Sequence, residues 1–415
     1  MVILAISLSI YFKFEKKGML KILYCSSVCS TTYLSYLMNN AISPIGGLAG
    51  QKFNRLIIEG LVMNDVDVYT VSARPINHRN FNKIIWKSMT EMIGGIEYNY
   101  CSFINLPLIR NICVFINTFF YSWKWCKKYK DGVIVCYSLN IAVTLAAILS
   151  SKILKNKVIG LITDIPGKLA DSKHGFIGCV LKFISMSYMA TFDYYVLLTE
   201  YMNSIFNKKH KPYIIMEGLV DINMKEIQEK KKHLKEGKII VMYAGQLAEI
   251  YGLKNMVEGF MATENNNAKF TIYGTGSFVE NLRRYESKDN RIEYRGLVSN
   301  EEIIRQEFLS TILINARPSY EMYTKYSFPS KNLEYMVSGT PVLTSVMLGI
   351  PEEYYEYVYS CGSGTKEEIT HKLNELFNKP KYELETMGLR AKDFVLKFKN
   401  NKIQSKRILT LIYTY

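Results

Sequence analysis

Short apolar runs alternate with longer stretches of mixed character along the chain of 415 residues. In the first half, the run at residues 21–28 predicts a buried strand, which is followed by a glycine-rich loop and a helical pattern at 51–63. Similar patterns predict strands at residues 66–71, 132–137, 157–162 and 194–199, with a helix at 141–149. Because strands alternate with helices, this half predicts a mostly parallel, doubly wound sheet.

The second half repeats this architecture without repeating the sequence, after a charged stretch at residues 225–238 that we interpret as a surface helix or linker. A helical C-terminal stretch, residues 366–415, is expected to pack back across the molecule. Two doubly wound domains bind ligands where the carboxyl ends of their strands face a common cleft. The predicted strands are residues 238–243, 269–273, 292–294, 311–315 and 341–344, with helices that begin at Asn255, Phe278, Asn300 and Pro329.

Charge is distributed unevenly between the two halves. The chain has 52 Lys and Arg against 37 Asp and Glu, and 48% of its residues are hydrophobic, which excludes a disordered or fibrous protein. Residues 1–210 hold 23 basic and 11 acidic side chains, a net charge of +12, whereas residues 211–415 hold 29 and 26, a net charge of +3. A basic first half indicates an anionic partner surface, lipid headgroups or nucleic acid, unless its lysines are simply solvated.

Cysteine and histidine spacing predicts neither a metal cage nor a disulfide framework, because the eight cysteines form no C-x-x-C pair and the five histidines lie far apart. Mostly buried cysteines favour a reducing compartment, the cytoplasm. Residues 1–12 are apolar but too few to span a bilayer, which takes about 20. Residues 1–18 are therefore either a weak anchor or an extension before a start at Met19, and no transmembrane helix is expected.

Glycine pairs follow two predicted strands of the second half, Gly245 with Gly252 and Gly274 with Gly276. Glycine lets a phosphate approach the backbone closely, and the N–H groups of the following helix can hold its charge. A plain strand-to-helix turn needs glycine for its geometry as well, so each pair alone leaves both interpretations open.

The most specific segment spans residues 315–342, a polar loop followed by a helix and a strand. Ser327 is the candidate N-cap of that helix, Pro329 lies just inside it, and Gly339 is expected to end it in a left-handed conformation. Three cations, Arg317, Lys325 and Lys331, are expected near the positive helix end, where a diphosphate would fit. A carboxylate one turn further, Glu334, could accept hydrogen bonds from two vicinal ribose hydroxyls, or could be an ordinary surface residue.

These motifs, in this order, resemble the donor-binding domain of the retaining glycosyltransferases of family 4. Residues 317–319, 324–331 and 334–342 resemble a branch from bacterial surface-polysaccharide clusters; the first half matches more loosely, through Gly46-Gly47 and residues 162–167, 198–200 and 216–221. The resemblance implies an α/β protein of the GT-B fold, with two Rossmann-like domains facing each other across a cleft. The implied domains are an extension at 1–18, an acceptor domain at 19–211, a donor domain at 212–390 and a returning C-terminal helix at 391–415.

The resemblance also assigns roles to individual residues. Glu334 is the second glutamate of the family's pair and holds the donor ribose, but Tyr326 stands where the first glutamate is usual. Gln246 and Tyr251 replace the family's usual arginine and lysine, so we infer that Arg317, Lys325 or Lys331 supplies the missing charge. Glu321 is then the candidate for contacting the sugar. The implied donor-binding set is Gly245, Gln246, Tyr251, Gly252, Gly274, Gly276, Lys325, Tyr326, Ser330, Lys331 and Glu334.

Asp164 directly follows the predicted strand at 157–162, and its turn would aim the carboxylate into the cleft. With Arg317 and Glu321 it forms the expected catalytic set, although an aspartate that caps its own turn would look the same. Gly46 and Gly47 are either a loop that closes on the diphosphate or a plain turn.

The implied reaction transfers a sugar from a nucleoside diphosphate, UDP being the nucleotide that the family uses most, to a hydroxyl with retention of configuration. Cationic groups stabilise the leaving diphosphate, so neither a metal nor another cofactor is expected. Aromatic and lysine residues alternate at 106–130, which suits a membrane interface and a lipid-linked acceptor, although a buried helix with a solvated end is the alternative. The expected location is the cytoplasm, at the inner face of the membrane.

Three other classes remain open. A sugar-nucleotide epimerase of this fold would need carboxylates and a histidine in the cleft, which we do not find. An inactive sugar-nucleotide-binding protein would explain Tyr326, Gln246 and Tyr251. A nucleic-acid binder could use the basic half, but the sequence contains no helix-turn-helix, RNP-like or zinc motif, so no nucleic-acid partner is expected.

Overall fold

The computed structural model describes residues 19–166, 176–226 and 239–415. The predicted N-terminal extension, Gly167 of the aspartate turn and residues 227–238 of the charged stretch lie outside this range. The chain divides into two compact units, one formed by residues 1–216 with 401–415 and the other by residues 217–400. The chain thus passes from the first unit to the second at Met216 and returns at Asn401.

An eight-stranded sheet forms the centre of the first unit, in the order β10-β9-β8-β7-β1-β2-β5-β4. Its neighbouring strands are parallel except for the antiparallel pair β4–β5, and β3 and β6 form a separate antiparallel pair. The direction of chain progression reverses between β1 and β7. The strands are β1 Lys21–Ser26, β2 Asp67–Ser72, β3 Ile85–Trp86, β4 Met89–Ile93, β5 Ile96–Tyr100, β6 Phe103–Ile104, β7 Val133–Tyr137, β8 Lys157–Ile162, β9 Tyr194–Leu197 and β10 Tyr213–Ile215.

Helices connect the parallel strands of the first unit, except that β2 and β5 are joined through β3 and β4. The central strands are buried, which is why they read as continuous apolar runs. Side chains satisfy the starts of two helices: Ser30 accepts a hydrogen bond from the Tyr33 N–H, and Asn140 accepts one from the Val143 N–H. The helices are α1 Thr31–Asn40, α2 Leu48–Val62, α3 Ile109–Lys128, α4 Ile141–Leu154, α5 Phe176–Met189 and α6 Glu200–Phe206.

The second unit has a six-stranded parallel sheet in the order β13-β12-β11-β14-β15-β16, which reverses between β11 and β14. Its strands are β11 Ile239–Gln246, β12 Ala268–Thr275, β13 Ile292–Gly296, β14 Ile312–Asn315, β15 Val342–Thr344 and β16 Tyr359–Ser360. Its helices are α7 Leu253–Met261, α8 Val279–Glu286, α9 Asn300–Leu309, α10 Lys331–Ser338, α11 Lys366–Phe377 and α12 Lys381–Phe398, with 3-10 turns at Ile222–Glu226, Glu249–Tyr251, Thr324–Tyr326 and Glu352–Glu356. The prediction of two doubly wound domains is confirmed.

The C-terminal helix α13, Asn401–Thr414, belongs to the first unit and packs on α2, as predicted. The Ser405 hydroxyl donates to the Ile57 carbonyl over 2.9 Å. The predicted single helix from residue 391 is wrong, however, because α12 ends at Phe398. The chain turns there since the Val220 N–H donates to the Lys399 carbonyl over 2.9 Å and Asn400 forms an isolated bridge with Val220.

A buried ion pair lies beside this break. The Lys399 ammonium binds both Glu217 and, over 2.6 Å, Glu353, and the Tyr354 hydroxyl donates to Glu217 over 2.6 Å. Glu217 and Lys399 are both buried. This network joins the first and last residues of the second unit to each other, and its polar groups have partners as burial requires.

Some local elements were not predicted, and one local prediction is wrong. Helix α1 and the strands β3–β6 were not predicted, since their short runs mix polar and aromatic residues. Ser327 is not the helix N-cap: it is extended, Phe328 is buried, and α10 begins at Lys331 with Ser330 as its N-cap. Gly339 does end this helix in the left-handed conformation, with φ of 72°.

Close packing of α13 on α2 depends on Gly60. A Cβ at this position would lie 2.2 Å from the Asn401 carbonyl oxygen and 2.5 Å from the Ser405 hydroxyl oxygen. We expect Gly60→Ala to lower the free energy of unfolding by about 1–3 kcal/mol, as overpacking does, measured by urea denaturation. Gly46→Ala is the control, since its Cβ would meet nothing within 4 Å. Equal stability of the two variants would contradict this view of the helix pair.

Candidate active site

A pocket of about 910 Å³ opens at the carboxyl edge of the first sheet, where the strand order reverses between β1 and β7. Doubly wound sheets bind ligands at this place, because the crossovers diverge to opposite faces and leave a crevice. Ser27 after β1, Asn140 after β7 and Asp164 after β8 contribute to its wall. The other lining residues are Gly46, Gly47, Ala49, Gly50, Gln51, Asn54, Pro75, Asn111, Ile112, Phe115, Tyr137, Leu139, Ile141, Ala142 and Leu181.

Asp164 lines this pocket together with Gly46 and Gly47, so three predicted residues of the first unit lie at one site. Solvent reaches the Asp164 side chain, yet the surrounding protein atoms desolvate it and raise its pKa to about 6. The carboxyl group therefore changes its charge closer to neutrality than an ordinary aspartate does.

The glycine loop is the start of helix α2. Gly47 is its N-cap with φ of 77°, and no side chain caps the helix. The first N–H groups of α2 therefore donate no hydrogen bond to a side chain of the N-cap residue. Ala49 and Gly50 also line the pocket, so this segment presents backbone and small side chains to it.

Sequence reasoning missed two amides of the pocket, Gln51 and Asn54, which lie one turn apart on α2. The Gln51 carbonyl accepts from the Cys29 N–H over 2.8 Å, and Asn54 accepts from the Tyr24 hydroxyl over 2.6 Å. Both side chains are buried, because they tie the helix to the loop after β1. The detectable signal was two amide residues spaced three apart in the helical pattern that directly follows the glycines.

In the second unit, the predicted glycines lie at the ends of adjacent strands. Gly245 of β11 is paired in register with Gly274 of β12. Gly274 has φ of 128°, and a Cβ there would lie 1.9 Å from the Gly245 carbonyl oxygen. Only glycine permits this approach of the two strand ends. Gln246, which ends β11, is exposed beside them.

Gly252 brings the loop after β11 against the loop after β14, which is where this sheet reverses. Its φ is 84°, and a Cβ would lie 2.4 Å from the Ala316 carbonyl oxygen. The neighbouring Arg317 places its guanidinium 4.8 Å from the centre of the Tyr251 ring. Tyr251, which stands where the resembling family usually has a lysine, thus packs against the cationic Arg317 of the opposite loop.

A second tyrosine, Tyr323, completes this arrangement, and sequence reasoning missed it. Its ring packs edge-on against Tyr251 with centroids 6.3 Å apart, and its hydroxyl donates to the Ile250 carbonyl over 3.0 Å. Arg317 forms no ion pair with a carboxylate of the described residues, and its Nε is buried without a hydrogen-bond partner. Its charge is therefore available to an anion.

Lys331 was expected to be one of three cations that only a bound anion could neutralise, but it already has a partner in the protein. Its ammonium donates to the Glu334 carboxylate over 2.6 Å, one turn along α10. Desolvation lowers the pKa of Lys331, but Glu334 and Glu307 raise it overall. Lys325 lies 5.0 Å from the ring centre of Tyr326. Arg317 is thus the candidate cation with the clearest geometry.

Helix α10 is fixed to the sheet by buried polar contacts. The Tyr335 hydroxyl accepts from the Ala244 N–H over 2.7 Å. The Asn332 amide accepts from Asn315 over 2.8 Å and donates to the Thr344 hydroxyl over 3.1 Å. These bonds hold the helix that carries Ser330, Lys331 and Glu334 at the ends of β11 and β14. For Glu321 and Tyr326, a role at the sugar stays a prediction.

No group of three or more His, Cys, Asp or Glu side chains in the described part of the chain is placed to hold a metal ion. Asp65 and Asp67 form an Asp-x-Asp pair in the sequence, but Asp67 binds Lys21 at the start of β2. Among residues 19–166, 176–226 and 239–415, no helix is both long and apolar enough to cross a membrane.

The chain is similar to known proteins in sequence over part of its length and in fold over most of it. Residues 224–393 match the family model described as glycosyl transferases group 1. HepE of Anabaena, in complex with UDP and glucose, has a similar structure, with a TM-score of 0.64, 11% identity and coverage of 95% of this chain and 100% of HepE. Sucrose-phosphate synthase of Thermosynechococcus elongatus is also similar, with a TM-score of 0.66, 11% identity and coverage of 95% of this chain and 98% of the synthase. The lipopolysaccharide outer core galactosyltransferase WaaB has a TM-score of 0.61 and 14% identity, with coverage of 95% of this chain and 99% of WaaB.

No curated protein matches the chain in sequence. At these low identities, the structural similarities establish the fold, which is GT-B. The family match to the second unit establishes the class of protein: the chain is a glycosyltransferase.

The raised pKa of Asp164 predicts a pH-dependent stability. Because the folded state holds this proton more tightly than the unfolded state, raising the pH from about 4 to 7 should destabilise the fold through Asp164. We expect Asp164→Asn to remove this contribution, so that the variant gains stability relative to wild type as the pH rises. The free energy of unfolding, measured by urea denaturation across this range, reports the effect. Asp131→Asn, in an exposed turn, is the control; parallel profiles for Asp164→Asn and wild type would contradict the shift.

Proposed function

We propose that the protein transfers a sugar from a nucleoside-diphosphate sugar, most simply a UDP-sugar, to a hydroxyl of a lipid-linked or saccharide acceptor. The observation that carries this proposal is Arg317, held over Tyr251 at the strand-order reversal of the second sheet, without an ion pair among the described carboxylates. Complexes of HepE with UDP and glucose support the choice of nucleotide. Surface-polysaccharide synthesis and retention of configuration follow from the family resemblance.

The donor is proposed to bind along the strand ends of the second unit. Gly245, Gly252 and Gly274 let the diphosphate approach the backbone, and Arg317 neutralises it with charge-assisted hydrogen bonds. Glu334 accepts hydrogen bonds from the ribose hydroxyls. Lys331 orients this carboxylate, because the two side chains are already paired over 2.6 Å.

In the proposed transfer, the bond between the anomeric carbon and the diphosphate oxygen breaks while the acceptor oxygen forms a bond to the same carbon. Arg317 and the N–H groups at the start of α10 stabilise the negative charge that develops on the leaving diphosphate. The acceptor proton passes to a leaving phosphate oxygen. Asp164 is proposed to orient the acceptor hydroxyl, which requires its ionised form, so turnover should decline below about pH 6.

We also propose that the protein binds peripherally at the cytoplasmic face of the membrane. From residue 98 to residue 163 the sequence holds eight basic residues and one acidic residue, Asp131. Helix α3 ends in Lys127 and Lys128 and exposes Ile116 and Phe120 on its surface. Exposed apolar side chains beside lysines suit an anionic bilayer surface, whereas a buried helix would not expose them.

A catalytically inactive donor-binding protein is the second candidate, and Tyr326 favours it, since it replaces a carboxylate that the family usually has. The two candidates differ in product formation. An enzyme releases UDP from a UDP-sugar when an acceptor is present, whereas an inactive binder retains the donor unchanged.

Nucleotide binding tests the donor site directly. We expect UDP to raise the melting temperature more than GDP, ADP or TDP, because a ligand that binds the folded state stabilises it. Arg317→Ala should weaken UDP binding about tenfold or more, the value of a lost charged hydrogen bond, and should leave uridine binding unchanged. Isothermal titration measures both affinities.

Arg305→Ala is the matched control, because Arg305 is exposed on α9 and already pairs with Glu302 over 3.2 Å. If Arg317→Ala weakened uridine as much as UDP, the guanidinium would not be a diphosphate ligand. Absence of a shift with every nucleotide would refute the donor site.

The role of Glu334 predicts a specific change in selectivity. Wild type should bind UDP more tightly than 2′-deoxy-UDP, because the deoxy compound lacks one of the two hydroxyls. In Glu334→Gln this preference should shrink severalfold, while Glu301→Gln, on the first turn of α9, should keep it. Competition titrations of the two nucleotides give the ratio, and an unchanged ratio in Glu334→Gln would place the ribose elsewhere.

A further inference from the structure

Two arginines of the second unit lie over aromatic rings, but their other surroundings differ. The Arg291 guanidinium is 5.1 Å from the ring centre of Phe260, and the Arg317 guanidinium is 4.8 Å from that of Tyr251. Arg291 also pairs with Asp289 over 2.8 Å and donates hydrogen bonds to three backbone carbonyls. Its donors are therefore used within the fold, as those of a structural arginine should be.

Arg317 has the aromatic support without the acidic partner. It forms no ion pair with a carboxylate in the described part of the chain, and its buried Nε has no hydrogen-bond partner there. An aromatic ring contacts the flat face of a guanidinium, whereas the N–H donors lie in the guanidinium plane. Tyr251 therefore fixes this cation without using the donors that an anion needs.

The ring of Tyr251 is itself held in place. It packs against the buried core of the second unit on one side and edge-on against Tyr323, with ring centroids 6.3 Å apart. The Tyr323 hydroxyl donates to the Ile250 carbonyl over 3.0 Å, which ties the loop after β14 to the loop after β11. Burial raises the pKa of Tyr323 to about 12, although Arg317 opposes the shift, so this hydroxyl keeps its proton at neutral pH.

The backbone end of Arg317 is held as well. Its carbonyl accepts a hydrogen bond from the Ser345 hydroxyl. Gly364, with φ of 80°, packs so closely that a Cβ there would lie 2.9 Å from the same carbonyl oxygen. A long side chain loses conformational entropy when it becomes ordered, so an arginine that is ordered beforehand binds its ligand more tightly.

We propose that Tyr251 and Tyr323 are positioning residues for Arg317. They hold the guanidinium by its face, away from the carboxylates of the unit, so that its N–H edge stays open to an anion. This inference rests on the proposed function for the identity of that anion as the donor diphosphate, whereas the position of the guanidinium does not depend on a nucleotide. If the tyrosines served the core alone, they would support the fold without a specific effect on the phosphate part of a ligand.

UDP and uridine separate these two roles in isothermal titration. We expect Tyr251→Leu to weaken UDP binding about fivefold or more, the value of a lost cation–aromatic contact, and to leave uridine binding unchanged. Tyr323→Leu should weaken UDP by about threefold, because it acts through the ring of Tyr251. Tyr251→Phe keeps the ring and should bind UDP within about twofold of wild type.

Phe398→Leu is the matched control, because Phe398 at the end of α12 is half exposed and also lies near a cation, Lys397, 5.1 Å from its ring centre. It should change neither affinity. Thermal melts verify that each variant folds, and two independent tyrosine positions keep the test decisive if one variant does not.

Phenylglyoxal, which modifies arginine side chains, reports the position of Arg317 without any nucleotide. We expect its reaction with Arg317, followed by mass spectrometry, to accelerate severalfold in Tyr251→Leu and Tyr323→Leu, since the guanidinium is then released from the ring. The rate should stay at the wild-type value in Tyr251→Phe and Phe398→Leu. Arg305, exposed on α9, is the internal reference and should react equally in all variants.

Three results would overturn the inference: unchanged UDP affinity and Arg317 reactivity in both leucine variants, an equal loss of UDP and uridine binding, or a loss in Tyr251→Phe as large as in Tyr251→Leu. The last result would make the Tyr251 hydroxyl a ligand in its own right. The donor proposal is read separately from Arg317→Ala. If that variant binds UDP like wild type while phenylglyoxal gives the expected pattern, the donor proposal fails and the positioning of Arg317 stands.

Discussion

Parallel strand pairing is the constraint on which the rest of this molecule depends. Each parallel strand must be reached through a crossover, so every loop that follows a strand returns to the same edge of its sheet. In both sheets the strand order also reverses once, between β1 and β7 and between β11 and β14. Two crevices result without any special sequence. The proposed chemistry then depends on which side chains follow those particular strands, Asp164 in one unit and Arg317 in the other.

Much of the architecture could be predicted, because strands buried on both faces must be apolar throughout and such runs are visible in the sequence. The predicted strand at 157–162 coincides with β8, and Asp164 lines the pocket as its position after that strand suggested. Contacts between residues distant in sequence could not be predicted. The stacking of Arg317 on Tyr251 depends on how two loops approach at Gly252, and the pairing of Lys331 with Glu334 competes with the anion that a count of cations suggested.

The two crevices differ in the residues that surround them. In the second unit, glycines let strand ends and loops approach closely, and Arg317 over Tyr251 is the proposed ligand of a compact, highly charged group. In the first unit, the pocket combines the Asp164 carboxyl group with apolar lining residues such as Ile112 and Leu139. The raised pKa of Asp164 fits this environment, because apolar neighbours desolvate the carboxyl group.

The ion pair between Glu217 and Lys399 has a consequence for how this chain can be rearranged. It joins the two ends of the second unit, next to the bridge between Val220 and Asn400. A unit whose ends meet can be inserted into a host chain, or taken out of it, with two junctions and no long linker. The second unit can therefore be exchanged as one piece, and chimeras joined at residues 216 and 401 would keep the ion pair between Glu217 and Lys399 that connects its two ends.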